Sequence, residues 1–141
     1  MITQDELKEF YNYKYWREIQ RNQLTICSNI IFTFCIASIG FVINYLLNEK
    51  YLICPIIKNL FFISVLFFLF SIISYLIINI TKLSDYRITA KLIRNCIPLN
   101  QINGKTKIFG NCVWYLFYSE IIFAFLGFLI SLFAFYNLIF E

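Results

Sequence analysis

The chain contains no histidine. That absence removes Ser-His and Cys-His nucleophile pairs, any imidazole general base, and ribonuclease motifs built on Arg and His together. It also leaves the common zinc arrangements short of ligands, because the five cysteines (Cys27, Cys35, Cys54, Cys96 and Cys112) form no CxxC pair. Free thiols in a reducing compartment, or in lipid where Cys behaves as a small hydrophobe, account for them. No catalytic set, metal or cofactor is expected. Charge is scarce as well. Residues 24–47 and 60–80 carry no Lys, Arg, Asp or Glu, and residues 112–140 carry Glu120 alone.

What is present is apolar side chain, 60% of the chain against nearer half in an ordinary soluble domain. About 20 mostly apolar residues in a helix cross a hydrocarbon core of about 30 Å. Each of the three runs reaches that length. The remaining segments are too short to bury a core of their own, since units below about 40 residues rarely fold without staples. The expected fold is therefore all-α, one integral membrane domain with three transmembrane helices. Residues 1–23 form an aromatic-rich helix, 24–47 the first span, 48–59 a loop, and 60–80 the second span. Residues 81–111 form a basic helix and loop, and 112–140 the third span. The first 22 residues mix acids and bases, where a signal peptide would put an apolar stretch behind a basic tip. No leader is expected.

Orientation follows from Lys and Arg in the flanking segments. The head carries Lys8, Lys14, Arg17 and Arg21, and the first loop only Lys50 and Lys58. The middle segment carries Lys82, Arg87, Lys91, Arg94, Lys105 and Lys107, and the C-terminus carries none. Head and middle segment are expected in the cytoplasm of a bacterial inner-membrane protein, with the C-terminus outside.

Helices one and two are expected to extend beyond the bilayer. Thr3 and Glu6 match a capping box, and no Pro or Gly interrupts the stretch from Gln4 to Ile39. Leu7, Tyr11, Tyr15 and Ile19 recur at four-residue steps beside Phe10 and Trp16. This face either lies in the headgroup region or packs in a cytoplasmic bundle. Past the second span, Leu83, Tyr86, Ala90 and Ile93 recur at steps of three and four, and Pro98 ends the helix. Residues 99–111, with Asn103-Gly104 at their centre, read as a return loop.

Polar and small residues line the spans. Asn29, Thr33, Ala37, Gly40 and Asn44 share one helical face, and Ala124, Gly127, Ser131 and Ala134 share another beyond Glu120. In the second span Ser64, Ser71, Tyr75 and Asn79 fall near one line. Such stripes pack helices together in lipid. The competing reading makes Asn29, Thr33, Gly40 and Asn44 the lining of a water-filled pathway, where amides and hydroxyls hydrate ions without fixed charge. Glu120, behind an aromatic belt of Trp114, Tyr115 and Tyr118, is expected near the inner boundary, reaching water or a basic residue. Arg87, Lys91 and Arg94 either hold anionic headgroups or form an anion site for a nucleotide or oligonucleotide, with Tyr15 and Trp16 as stacking surfaces. Gly104-Lys105-Thr106 is not a phosphate loop, because Leu99 stands where that motif needs Gly.

Two segments carry a resemblance. Tyr15-Trp16-Arg17-Glu18-Ile19-Gln20-Arg21-Asn22-Gln23 runs into the first span, and Asp85-Tyr86-Arg87-Ile88-Thr89-Ala90-Lys91-Leu92-Ile93-Arg94 follows the second. Together, about a quarter of the chain, they resemble small bacterial membrane effectors of the SLATT type, found beside nucleotide-sensing antiphage systems. The resemblance implies a homo-oligomeric pore whose opening kills or arrests the infected cell. Proteins of that type often carry longer cytoplasmic parts, so it leaves open whether this chain senses a messenger itself or relies on a cytoplasmic partner protein.

A toxic, gated, non-enzymatic channel surrounded by membrane lipids is the leading expectation. An immunity protein that blocks a pore-forming bacteriocin also suits a small multi-span chain. A lipid kinase, as in three-span bacterial diacylglycerol kinase, suits it less, since Glu120 has no acidic neighbour in sequence. If the polar face of span one turns toward spans two and three of its own chain, the pore expectation fails.

Overall fold

The computed structural model describes residues 4–48, 55–94 and 99–140, all of them helical. Helix α1 spans Gln4–Asn48, α2 Pro55–Arg94 and α3 Leu99–Phe140. No strand occurs among the described residues. Even α2, the shortest at 40 residues, is about 60 Å long at 1.5 Å per residue, twice the thickness of hydrocarbon. Glu18–Leu47, Pro55–Ile88 and Ile108–Ile139 are each long and apolar enough to cross a bilayer. Along them Ile30, Phe62 and Phe133 are among many large apolar side chains left exposed. Lipid, not water, is the solvent that tolerates such a surface.

Successive helices run antiparallel. At the distal end Tyr45 of α1, Phe61 of α2 and Phe135 of α3 meet with ring centroids 4.8–5.7 Å apart. At the proximal end, which carries the N-terminal part of α1, Arg21 faces Asp85 and Lys82 reaches Thr25. All three helices extend proximally past their apolar runs.

Burial follows a seven-residue repeat. The buried positions are Ile57, Phe61, Ser64, Phe68, Ser71, Ser74 and Ile78 on α2, and Glu120, Ala124, Gly127, Ser131 and Ala134 on α3. Leu24, Ser28, Cys35 and Val42 continue the same repeat on α1. Steps of three and four average 3.5 residues, which keeps a seam facing its partner as helices wind left-handed around each other. The α2–α3 hairpin is packed along its length, and α1 lies more loosely against it.

Two expectations are corrected. Residues 99–111 are not a loop; they are the first turns of α3. Asn103 and Gly104 are weak helix formers, each less favourable than Ala by at most about 1 kcal/mol. Extending a helix already nucleated in the apolar run adds a hydrogen bond per residue with no new nucleation step. Phe109 and Val113 also meet α1 and α2 around a shared cavity, which rewards the extension. The expected first loop is shorter than 48–59, since Asn48 ends α1 and α2 begins at Pro55. The Thr3 cap, the aromatic side chains of Phe10 and Tyr11, residues 49–54 and the Pro98 turn lie outside the described residues.

Candidate functional site

The α2–α3 seam is held by hydroxyls. Ser64 Oγ donates to the Gly127 carbonyl at 2.8 Å and lies 2.5 Å from Ser131 Oγ. With its own proton on Gly127, Ser64 must accept from Ser131. Seven residues on, Ser71 Oγ donates to the Glu120 carbonyl at 2.9 Å. Each carbonyl already serves its own helix, and the hydroxyl takes the second lone pair. Between these bonds the Phe68 ring covers Gly127 so closely that a Cβ built there would lie 3.0 Å from it. The third-span residues Ala124, Gly127, Ser131 and Ala134 are all buried.

Glu120 departs from expectation in depth. It is 0% exposed and turns into the interior rather than to water, while Lys82 is the basic residue whose charge acts on it. Ser28 Oγ of α1 donates to Oε2 at 2.6 Å, while Oε1 meets no donor among the described residues. Cys35 Sγ, two turns along α1, lies 3.5 Å from Ser71 Oγ. One heptad thus ties all three helices at Glu120, α1 through its carboxyl group and α2 through its backbone carbonyl.

The polar face of α1 points the other way. Asn29, Thr33, Ala37, Gly40 and Asn44 are exposed on the chain's own surface. Asn29 Oδ1 accepts from the Tyr75 hydroxyl at 2.8 Å, so its amide is engaged by α2. Thr33 Oγ1 donates to the Asn29 carbonyl one turn back. A Cβ built on Gly40 meets nothing within 4 Å.

Arg87, Lys91 and Arg94 are exposed on the proximal extension of α2. Tyr15 and Trp16 are exposed on that of α1 and meet each other edge to face at 6.0 Å. No contact joins the two groups among the described residues.

The structure instead places a cavity of about 280 Å³ between the three helices at the proximal end. Its wall includes Arg21 from α1, Lys82, Asp85 and Tyr86 from α2, and Gly110 and Trp114 from α3. Lys82 Nζ donates to Thr25 Oγ1 at 3.0 Å. Arg21 lies 3.8 Å from Asp85 Oδ2 and 5.9 Å from the centre of the Tyr86 ring.

Fold and surface together define a multi-pass α-helical membrane protein. The chain matches no protein-family model, no curated protein and no solved structure.

Sequence reading missed the inner seam of α1 and the cavity. Ser28 and Cys35 repeat at seven residues, as do Ser64 and Ser71, and that shared spacing was the available signal. The cavity had none, because its walls come from three segments remote in sequence.

Proposed function

We propose that the protein is a homo-oligomeric channel of the bacterial inner membrane, with the outer face of α1 turned toward an axis shared by several copies. What supports this is the exposure of Thr33, Ala37, Gly40 and Asn44 on the single chain. Small residues in lipid allow backbones to approach closely, and polar ones bond across helices or meet water. The seam of α3 already uses its small residues within the chain; α1 has its own left over. The bias of Lys and Arg puts the proximal end in the cytoplasm. There Arg87, Lys91, Arg94, Tyr15 and Trp16 lie open to a nucleotide, an oligonucleotide or a partner protein. Release of the pore would depolarise the cell, in keeping with the effector role that the SLATT resemblance implies.

Purified protein in mild detergent should run as an oligomer. In planar bilayers it should pass ions, with currents changed severalfold by Asn44→Leu. A protein that stays monomeric and conducts under no trigger overturns the proposal. Protein that is harmless on expression and protects against one bacteriocin would instead mark an immunity protein.

A further inference from the structure

We infer that the proximal cavity binds the headgroup of an ethanolamine phospholipid. This rests on the membrane placement of the helices and not on the channel reading.

Depth comes first. Leu24 on the cavity wall opens the first apolar run, Lys82 follows the end of the second at Ile80, and Asn111 precedes the start of the third at Cys112. The cavity therefore lies where hydrocarbon gives way to headgroups. Trp114 and Tyr86 on its wall have the apolar body and polar tip that suit that level. At about 280 Å³ it falls just below the roughly 300–1,000 Å³ of sites for drug-sized ligands. That size takes a headgroup, with the acyl chains left in the bilayer, better than a whole nucleotide.

Charge decides the chemistry. Lys82 spends one of its three N–H donors on Thr25 and keeps the others for a phosphodiester. Arg21, paired only at 3.8 Å with Asp85, adds a second cation. Asp85 has the opposite need. Its side chain is 16% exposed on the cavity wall, and its Oδ1 meets no donor among the described residues. Its one cation is Arg21 at 3.8 Å, so the carboxylate is under-compensated. An ethanolamine ammonium, two carbons from its phosphate, supplies N–H donors and a positive charge to the exposed edge of the Asp85 carboxylate while the phosphate rests on Lys82 and Arg21. Choline carries methyl groups at the same place and has no N–H to give. Gly110 keeps the α3 wall open, since a Cβ built there meets nothing within 4 Å.

The test is native mass spectrometry of the full chain in mild detergent. It is titrated with phosphatidylethanolamine, phosphatidylcholine, phosphatidylglycerol, soluble phosphoethanolamine and AMP. The ethanolamine lipid should bind about tenfold or more tightly than the choline lipid, the effect of one charge-assisted hydrogen bond. It should also bind more tightly than soluble phosphoethanolamine. Asp85→Asn should bring the ethanolamine-to-choline ratio toward one. Gly110→Leu, whose side chain enters open space, should lower ethanolamine-lipid binding by about tenfold or more with helicity unchanged. Should that variant lose helicity, Lys82→Gln takes its place and should weaken both lipids alike. Equal binding of ethanolamine and choline lipids overturns the proposal, as does full affinity in the cavity-filled or Lys82 variant. Phosphatidylglycerol bound as tightly overturns the ammonium assignment, and displacement of lipid by AMP would make this a soluble-nucleotide site.

Discussion

Gly127 and Gly40 belong to stripes of similar composition, yet one lies under a Phe68 ring and the other faces open space. Around Gly127, Ser64, Ser131 and the backbone of α3 complete one another's hydrogen bonds. At Gly40, none of the described residues of another helix comes within 4 Å of a built Cβ. The difference teaches what a small residue in a membrane helix is for. It marks a close approach, and where the chain itself makes none, another molecule is the remaining candidate.

The comparison breaks most readily at Gly127. Replacing it with Leu forces Phe68 out of the seam, and overpacking of this kind destabilises by about 1–3 kcal/mol or more. Unfolding in mixed micelles should read that loss; an unchanged midpoint would mean the hairpin has slack that the packing does not suggest. Next comes the latch between α1 and the hairpin. A double-mutant cycle with Ser28→Ala and Glu120→Leu should give a coupling of about 1–2 kcal/mol, the range for hydrogen bonds between helices in model membrane peptides. A coupling near zero would leave α1 held by apolar contact and by its polar ties to α2 alone.

A smaller effect is expected from Ser64→Ala, about 0.6 kcal/mol in the same unfolding measurement, the average for such bonds in a membrane protein. Smallest for the single chain is Gly40→Leu, within about 0.5 kcal/mol because a Cβ built there meets nothing within 4 Å. Its effect should appear instead in oligomer size and ion current. If Gly40→Leu destabilises the monomer as Gly127→Leu does, the contrast between the two faces is lost.

Much of this architecture is legible in the residues. Apolar runs of about 20 residues or more with almost no charge read as membrane-crossing helices, and the absence of Pro and Gly through the head lets α1 continue unbroken. Faces are harder. Ser28 and Asn29 are adjacent and both polar, and periodicity alone cannot say which looks inward; the more polar Asn29 stripe is the outer one. Asn103-Gly104 reads as a turn because local preference is visible in sequence, while the propagation of α3 through it is not. Glu120 stands out as the lone acid of its run, but its partner Ser28 is 92 residues away. The cavity depends on where three helices leave the apolar band together, and no single stretch records that.

The seven-residue spacing of Ser64 and Ser71 has a mechanical consequence. Their acceptors, Gly127 and Glu120, are seven residues apart on a helix running the opposite way, so the hairpin is keyed at two pegs about 10 Å apart along its axis. A slip of one helical turn, about 5.4 Å, unseats both pegs at once and drags Phe68 off its glycine. Sliding within the hairpin is thus barred at small amplitude. The motion that leaves both pegs seated is travel of α1 across a fixed pair, with the Ser28–Glu120, Asn29–Tyr75 and Thr25–Lys82 bonds as its catches.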